Sequence, residues 1–321
     1  MSIKTYDVII VGGGIMGSAT AYYLITADPT LKIAVIERDP TYTQASTTLS
    51  MANVRIQFSL KENVQISQYT TRILKSFEED MLVNGEPPRI YFRQEGNLFL
   101  VAAEAEEAAR QALQMQTQLG CRVEWWSNQQ IKEHYPLYEP QPYVGGTFGP
   151  DDGYFDAYAV LMAYRAKSRS LGVNYFKDEV VTINTSKKQV NGVQLADEGS
   201  LAAACVINCA GAWAGKVAGL LGEPVPLKPG APMMMVTERL PHFVDPVVGA
   251  ASRKLSFKQM QNGTLLIGGA HLAKLDFTRE RTEMDWRKLS VSARTVLALF
   301  PQLGGVRLVR AWAGIASFLP E

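Results

Sequence analysis

Cysteine and histidine are scarce in this sequence, three of each in 321 residues. Cys121, Cys205 and Cys209 form no C-x-x-C pair, and His134, His242 and His271 are scattered. Zinc binding and thioredoxin-like redox chemistry therefore lack their usual spacing, and no metal site is expected. Cys205 and Cys209 lie in "AACVINCAGAW", which reads as a buried strand entering a turn. Both thiols then read as small core residues in a reducing compartment. An excess charge is also missing. Lys and Arg total 32 against 31 Asp and Glu, with no run of like sign. Nothing in that balance attracts nucleic acid or an anionic membrane.

A long uninterrupted apolar run is absent too. The nearest candidate, "YDVIIVGGGIMGSATAYYLI", carries Asp7 near its start and then Gly12, Gly13 and Gly14 in succession. A spanning helix needs about 20 apolar residues, and each interior glycine costs roughly 1 kcal/mol relative to alanine. One lysine precedes the run and no small-residue cleavage site follows it, so it does not read as a signal peptide. The expectation is a soluble, cytoplasmic chain without a transmembrane segment, internal repeat or low-complexity stretch.

What is present is an α/β pattern interrupted by antiparallel-looking segments. The length allows two domains, at about 150 residues each, and 47% apolar residues support a large core. "YDVIIV" predicts a strand buried on both faces, "IMGSATAYYLITA" a helix, and "LKIAVIERD" a second strand ending in acid. Together they make one βαβ unit. A helix is expected over 61–82. "RIYFRQEGNLFLVA" reads as two strands of a hairpin turning at Glu95-Gly96-Asn97. Further helices are expected in "EAEEAARQALQMQTQLG", "SNQQIKEHYP" with Ser127 as N-cap, and "DAYAVLMAYRAKSRSLG" with Asp156 as N-cap. "VNYFKDEVVTIN", "QVNGVQLAD" and "AACVINCAG" follow as strands, then a helix in "AWAGKVAGLLG". Antiparallel-looking segments occupy about 86–149 and 224–321.

Gly12, Gly14 and Gly17 form G-x-G-x-x-G between the first strand and the first helix. The first glycine permits the tight turn, the second lets the backbone approach a pyrophosphate, and the third lets helix and strand pack closely. The helix start, Gly13 to Met16 through Ile15, then faces phosphate with free N–H groups and a partial positive charge. Glu37 ends the next strand, twenty residues past Gly17. A carboxylate there accepts ribose hydroxyls and disfavours a 2′-phosphate, which leaves NAD and FAD ahead of NADP. After Glu37 comes a Ser/Thr stretch, Ser46 to Ser50, with no helical pattern. It reads either as a lining for an extended cofactor or as an ordinary surface loop.

"VIIVGGGIMGSATAYYL", "VIERDPTYTQASTTLSMANVRIQFS", "DDGYFDAYAV" and "VINCAGAWA" resemble the FAD-dependent amine oxidoreductases of the D-amino-acid oxidase, glycine oxidase and sarcosine oxidase superfamily. "ERDPTYTQAST" and "QFSLKENVQIS" look closest, within it, to the FAD-dependent oxidoreductase domain proteins that include a respiratory complex I assembly factor. The resemblance covers nearly the whole chain. It implies a discontinuous Rossmann-like FAD-binding domain, residues 1–85 and 150–223, with an antiparallel-sheet (α+β) substrate domain, 86–149 and 224–321. It implies FAD on Gly12, Gly14 and Gly17, with Glu37 on the ribose and Arg38 beside it. Ser46 and Thr47 would contact phosphate and flavin, and Ala52, Asn53, Val54 and Arg55 would pass along the flavin ring. Val180 would meet the adenine through its backbone, and Ala210, Gly211 and Trp213 would close over the cofactor. In that family several dozen residues follow the final strand, including a segment of the FAD domain. The resemblance therefore implies that this chain is a fragment that binds FAD weakly.

The resembling enzymes take a hydride from the carbon beside an amine nitrogen, and the product imine hydrolyses. The cofactor does that chemistry, and the protein orients the substrate and tunes charge. Arg55 falls where a sarcosine-oxidase arginine lies near the flavin, and a guanidinium there pairs with a substrate carboxylate or with reduced-flavin charge. Its other reading is a surface ion pair. Lys258, in "LSFKQM", falls on a strand that carries substrate-binding groups in the family; its other reading is an exposed lysine. "TTLSMAN" offers no histidine or cysteine for a covalent flavin link, so non-covalent FAD is implied. Leu266 stands where sarcosine oxidases carry an oxygen-activating lysine, which favours a dehydrogenase over an efficient oxidase. The partners implied are an amine or amino-acid substrate and an electron acceptor or hetero-subunit. A flavin-binding assembly or scaffold protein without turnover is the rival reading.

Overall fold

The computed structural model describes residues 3–250, 255–276, 281–283 and 286–319. Its centre is a four-stranded parallel sheet in the order Cys205–Asn208, Val8–Val11, Ile33–Glu37, Asn174–Lys177. Val8–Val11 is buried along its whole length, as its unbroken β-branched run requires. The helix Ile15–Ala27 crosses from it to Ile33–Glu37 and buries a narrow face of Gly17, Ser18, Ala21 and Ile25. The helix Ala157–Ser170 packs against it and leads into Asn174–Lys177. Asp156 starts that second helix by accepting the Ala159 N–H at 3.0 Å.

The opposite face of the parallel sheet is covered by a second four-stranded sheet, in the order Lys4–Thr5, Ser200–Ala202, Gln189–Leu195, Val180–Ser186. Ile9, Val11, Ala34 and Ile36 meet Val180, Ile183, Val193 and Leu201 between them. A third, mixed sheet of ten strands carries the other core. Its main path runs Leu308–Ala313, Lys228–Arg239, Thr264–Asp276, Leu255–Gln259, Val247–Ala250, Asn97–Val101, Gly145–Gly149, Glu124–Ser127. All joins along it are antiparallel except that between Val247–Ala250 and Asn97–Val101. The helix Trp286–Leu299 packs on this sheet. The short helix Asn128–His134 beside it begins in the capping box of Ser127 and Gln130.

Three expectations are corrected. No hairpin turns at Glu95-Gly96-Asn97. Asn97–Val101 is a strand, but Arg93 exchanges both main-chain hydrogen bonds with Tyr154, at 2.8 and 3.0 Å. The stretch before the glycine thus finds its partner some sixty residues later. "VNYFKDEVVTIN" is two strands in two sheets. Buried Asp178 divides them by accepting the N–H groups of Glu179, Ala196, Asp197 and Glu198. Cys205 is exposed and Cys209 half-buried, while Cys121 is the buried thiol. Cys205 begins the edge strand of the parallel sheet, which has no second described neighbour to cover it.

Candidate functional site

The glycine turn is among the tightest places in the fold. Gly12 has φ +98°, and a Cβ there would fall 2.5 Å from the Cys209 carbonyl oxygen. A Cβ on Gly17 would fall 1.9 Å from the Gly12 carbonyl oxygen. Neither position accepts another residue without moving main chain, at Cys209 for Gly12 and at the helix for Gly17. Gly14 is the helix N-cap and supplies no side-chain cap. A helix start without a cap of its own suits an anion. Thr47 lies at this end, its Oγ1 accepting the Ile15 N–H at 3.3 Å.

Glu37 lies against the same turn. Its Oε2 accepts the Gly13 N–H at 2.7 Å and its Oε1 the Asp39 N–H at 2.8 Å. Burial pushes the carboxyl up, and these two donors oppose the shift. A carboxylate has about four acceptor sites, so ribose hydroxyls still find room on it.

From the turn runs a cavity of ≈ 620 Å³. Gly12, Gly14, Ile15, Met16, Glu37, Arg38, Ser46, Thr47, Val180, Ala210, Gly211 and Trp213 all line it. Arg38 lies with its guanidinium 4.4 Å from the centre of the Trp213 ring, closing one side. Gly13 and Gly17 stand behind the wall rather than in it. Tyr42 also lines the cavity and is 1% exposed; no local pattern in the sequence marked it. Its hydroxyl and the Trp213 Nε1 are buried polar atoms with no partner among the described residues. Orphaned polar atoms in a cleft, beside an uncapped helix start and an acid, fit a dinucleotide.

Ala52, Asn53, Val54 and Arg55 do not line this cavity. Asn53, Val54 and Arg55 instead border a neighbouring depression of ≈ 380 Å³ with Phe58, Ser67 and Thr70. The loop leading there is held by the ten-stranded sheet. Trp312 Nε1 donates to the Leu49 carbonyl at 3.2 Å, and Lys258 Nζ to the Met51 carbonyl at 2.7 Å. Ala52, next in line, has φ +51°, a left-handed conformation that a non-glycine residue keeps only when its surroundings impose it.

The structure contradicts an exposed Lys258. It is 2% exposed, and its ammonium lies 3.8 Å from the centre of the Tyr154 ring. It lines neither cavity and acts on the loop through Met51. Burial holds its pKa down to about 8. The folded chain therefore gives up this proton before the unfolded chain does, and stability gains from rising pH between about 8 and 10.5. Lys258→Met is expected to lose that gain. Relative to the variant, wild-type stability should rise by at most about 1.4 kcal/mol per pH unit in this window. Urea midpoints of both proteins at several pH values check it, and parallel profiles would refute it.

Arg55 does not form the surface ion pair that was its other reading. Its guanidinium is half-buried, 4.4 Å from the Phe58 ring centre and 5.2 Å from that of Phe99. It donates no hydrogen bond to any described residue. Burial lowers its pKa and the nearby charge of Asp152 raises it. No group of acidic, histidine or cysteine residues arranged for a metal occurs among the described residues. No described helix is long and apolar enough to cross a membrane.

Strand, glycine turn, helix and acid-ended second strand define a dinucleotide-binding protein with a Rossmann-like fold. The chain belongs to the FAD-dependent oxidoreductase family, whose model matches residues 7–321. FAD is the cofactor of that family. The chain is 34% identical to FAD-dependent oxidoreductase domain-containing protein 1 of Xenopus laevis over 239 residues, 67% of this chain and 48% of that protein. It thus spans about half the length of that relative. It is 23% identical to sarcosine oxidase subunit beta of Rhodobacter capsulatus over 98% of this chain and 75% of that protein. Among solved structures, L-proline dehydrogenase from P. horikoshii has the same fold, with a TM-score of 0.89 at 20% identity, covering 99% of this chain and 83% of that one. Glycine oxidase from Geobacillus kaustophilus follows at 0.84 and 19%, covering 98% and 84%.

Proposed function

We propose that this chain oxidises the C–N bond of an amino acid or secondary amine to an imine, using FAD. The observation that carries the reading is Arg55, a guanidinium over two aromatic rings with no acceptor engaged, five residues along the chain from Ser50 in the cofactor cleft. Such a group suits a planar carboxylate, which it holds with two parallel hydrogen bonds. The substrate's amine carbon is then presented by a fixed anchor.

In this reading the helix start at Gly14 and Ile15, with Thr47, holds the pyrophosphate, and Glu37 holds the ribose. Bound FAD supplies a hydride acceptor for the carbon beside the amine nitrogen. Arg55 orients the substrate carboxylate, and Phe58 and Phe99 keep water from the guanidinium. Lys258 keeps the Met51–Ala52 turn in place. Residues 1–85 and 150–223 form the cofactor half, and 86–149 and 224–321 the substrate half. Leu266 favours transfer to an electron acceptor or partner subunit over direct reaction with oxygen.

The test is anaerobic addition of single amino acids and N-methyl amines to the flavin-loaded protein. Bleaching of flavin absorbance by a carboxylate-bearing amine is the expected result. Failure of the whole panel would favour a flavin-binding assembly or scaffold protein without turnover.

The FAD is expected to be held without a covalent bond. Residues 46–55 contain no histidine or cysteine. Cys209 does line the cleft, but it lies against Gly12 and Gly17, at the phosphate end. Acid precipitation should leave the yellow colour in the supernatant; colour in the pellet would contradict the expectation.

A further inference from the structure

A carboxylate lies behind Arg55 that the sequence did not single out. Asp152 is 1% exposed. Its Oδ1 accepts the Ile56 main-chain N–H at 2.7 Å, and its Oδ2 accepts Gln57 Nε2 at 2.9 Å. The same Gln57 amide donates to the Asn97 carbonyl at 3.0 Å. One carboxyl thus fixes the main chain immediately after Arg55. Through Gln57 it also fixes the strand Asn97–Val101, which carries Phe99, one of the two rings holding the guanidinium. The arrangement has no slack. A Cβ on Gly149 would fall 2.8 Å from Gln57 Nε2 and 2.9 Å from Asp152 Oδ2.

We propose that Asp152 is the positioning residue of the Arg55 subsite, setting the place of the guanidinium and, by its own charge, how strongly that guanidinium holds a carboxylate. The inference rests on the reading of Arg55 as the substrate-carboxylate anchor. Asp152 itself does not touch the substrate. An ionised Asp152 competes with an incoming anion for the field of Arg55, and a neutral one does not.

The charged and titratable groups facing Asp152 are Arg55, Asp151 and the Cys121 thiol. Asp151 is paired with Arg122, which holds its carboxyl below the usual range. Burial pushes the Cys121 thiol up, so it stays neutral. Burial also pushes the Asp152 carboxyl up to about 7, against the opposing effect of Gln57, Ile56 and Arg55. Of these groups, Asp152 is the one that changes charge near neutrality. Below about pH 7 it is protonated and Arg55 is uncompensated, so anions bind more tightly. Above it they bind more weakly.

Calorimetric titration of the FAD-loaded full chain with propionate tests this without turnover. Wild-type affinity should fall about tenfold between pH 6 and pH 8.5, the size of a one-unit pKa coupling. Asp152→Asn, neutral and of the same shape, should give a flat profile. Retention of the wild-type pH dependence in Asp152→Asn would overturn the proposal. Arg55→Met should bind propionate weakly at every pH. Wild-type binding in Arg55→Met would sink the carboxylate-anchor reading itself, as would no binding by wild type at any pH. If Asp152→Asn does not fold, Gln57→Leu serves instead. It removes one donor to the carboxylate, so the inflection should move to higher pH, and with the tie to Asn97 lost the low-pH affinity should fall severalfold. An unmoved inflection at unchanged affinity would overturn the proposal.

Discussion

Gly17→Val is expected to leave the protein folded in its ten-stranded sheet but unable to hold FAD. The added Cβ alone would fall 1.9 Å from the Gly12 carbonyl oxygen. That is far inside contact distance, and the obstacle is main chain rather than a movable side chain. The helix Ile15–Ala27 has to shift away from the strand Val8–Val11, and its first N–H groups move with it. Those groups are the proposed anion-binding part of the cleft. Overpacking of this kind costs about 1–3 kcal/mol in stability, occasionally more. Misplaced pyrophosphate donors add to it, so FAD affinity should drop by about a hundredfold, equivalent to roughly 2.7 kcal/mol. Gly304→Ala is the control, since a Cβ there meets nothing within 4 Å. Quenching of flavin fluorescence on titration reads the affinity, and circular dichroism reads the fold. FAD binding by Gly17→Val within a factor of three of wild type would show that the helix start is not where the pyrophosphate lies.

The parts of this molecule that were legible in the sequence are those built by neighbours along the chain. The strand at Val8, the turn at Gly12 and the helix from Ile15 follow one another within twenty residues, and each imposes its own pattern. The caps at Ser127 and Asp156 are likewise local, and both stand as expected. What the sequence hid depends on partners brought from far away. Lys258 looked like a surface residue because nothing near it announces the Met51 carbonyl, 207 positions earlier. Asp152 carries no mark in the sequence at all, since its partner Ile56 lies 96 positions away. Tyr42 lies in a polar loop, and its burial is a tertiary outcome, with Arg165 from a distant helix over its ring. The hairpin failed for the same reason, since the alternative pairing of Arg93 with Tyr154 is not a local property. Burial of a polar group is a statement about tertiary partners, and one-dimensional patterns carry little of it.

Arg55→Met is expected to separate substrate handling from cofactor binding. Methionine keeps an unbranched apolar stem against Phe58 and Phe99, so the packing between those rings is largely preserved. It also removes a half-buried charge that forms no ion pair, so stability should change little. FAD affinity should stay within a factor of about three, because Arg55 lies outside the cavity that begins at the glycine turn. The loss should fall on the substrate. A charge-assisted hydrogen bond is worth about 1.5–3 kcal/mol, or roughly tenfold to a hundredfold in kcat/KM. Amines that lack a carboxylate should lose little, since they make no such bond. Arg55→Lys should recover only part of the activity, because an ammonium offers a point charge in place of a planar fork. Rapid mixing of the flavin-loaded protein with substrate, without oxygen, reads the rate of flavin reduction directly. Equal reduction rates in wild type and Arg55→Met, with a carboxylate-bearing amine, would remove Arg55 from the site.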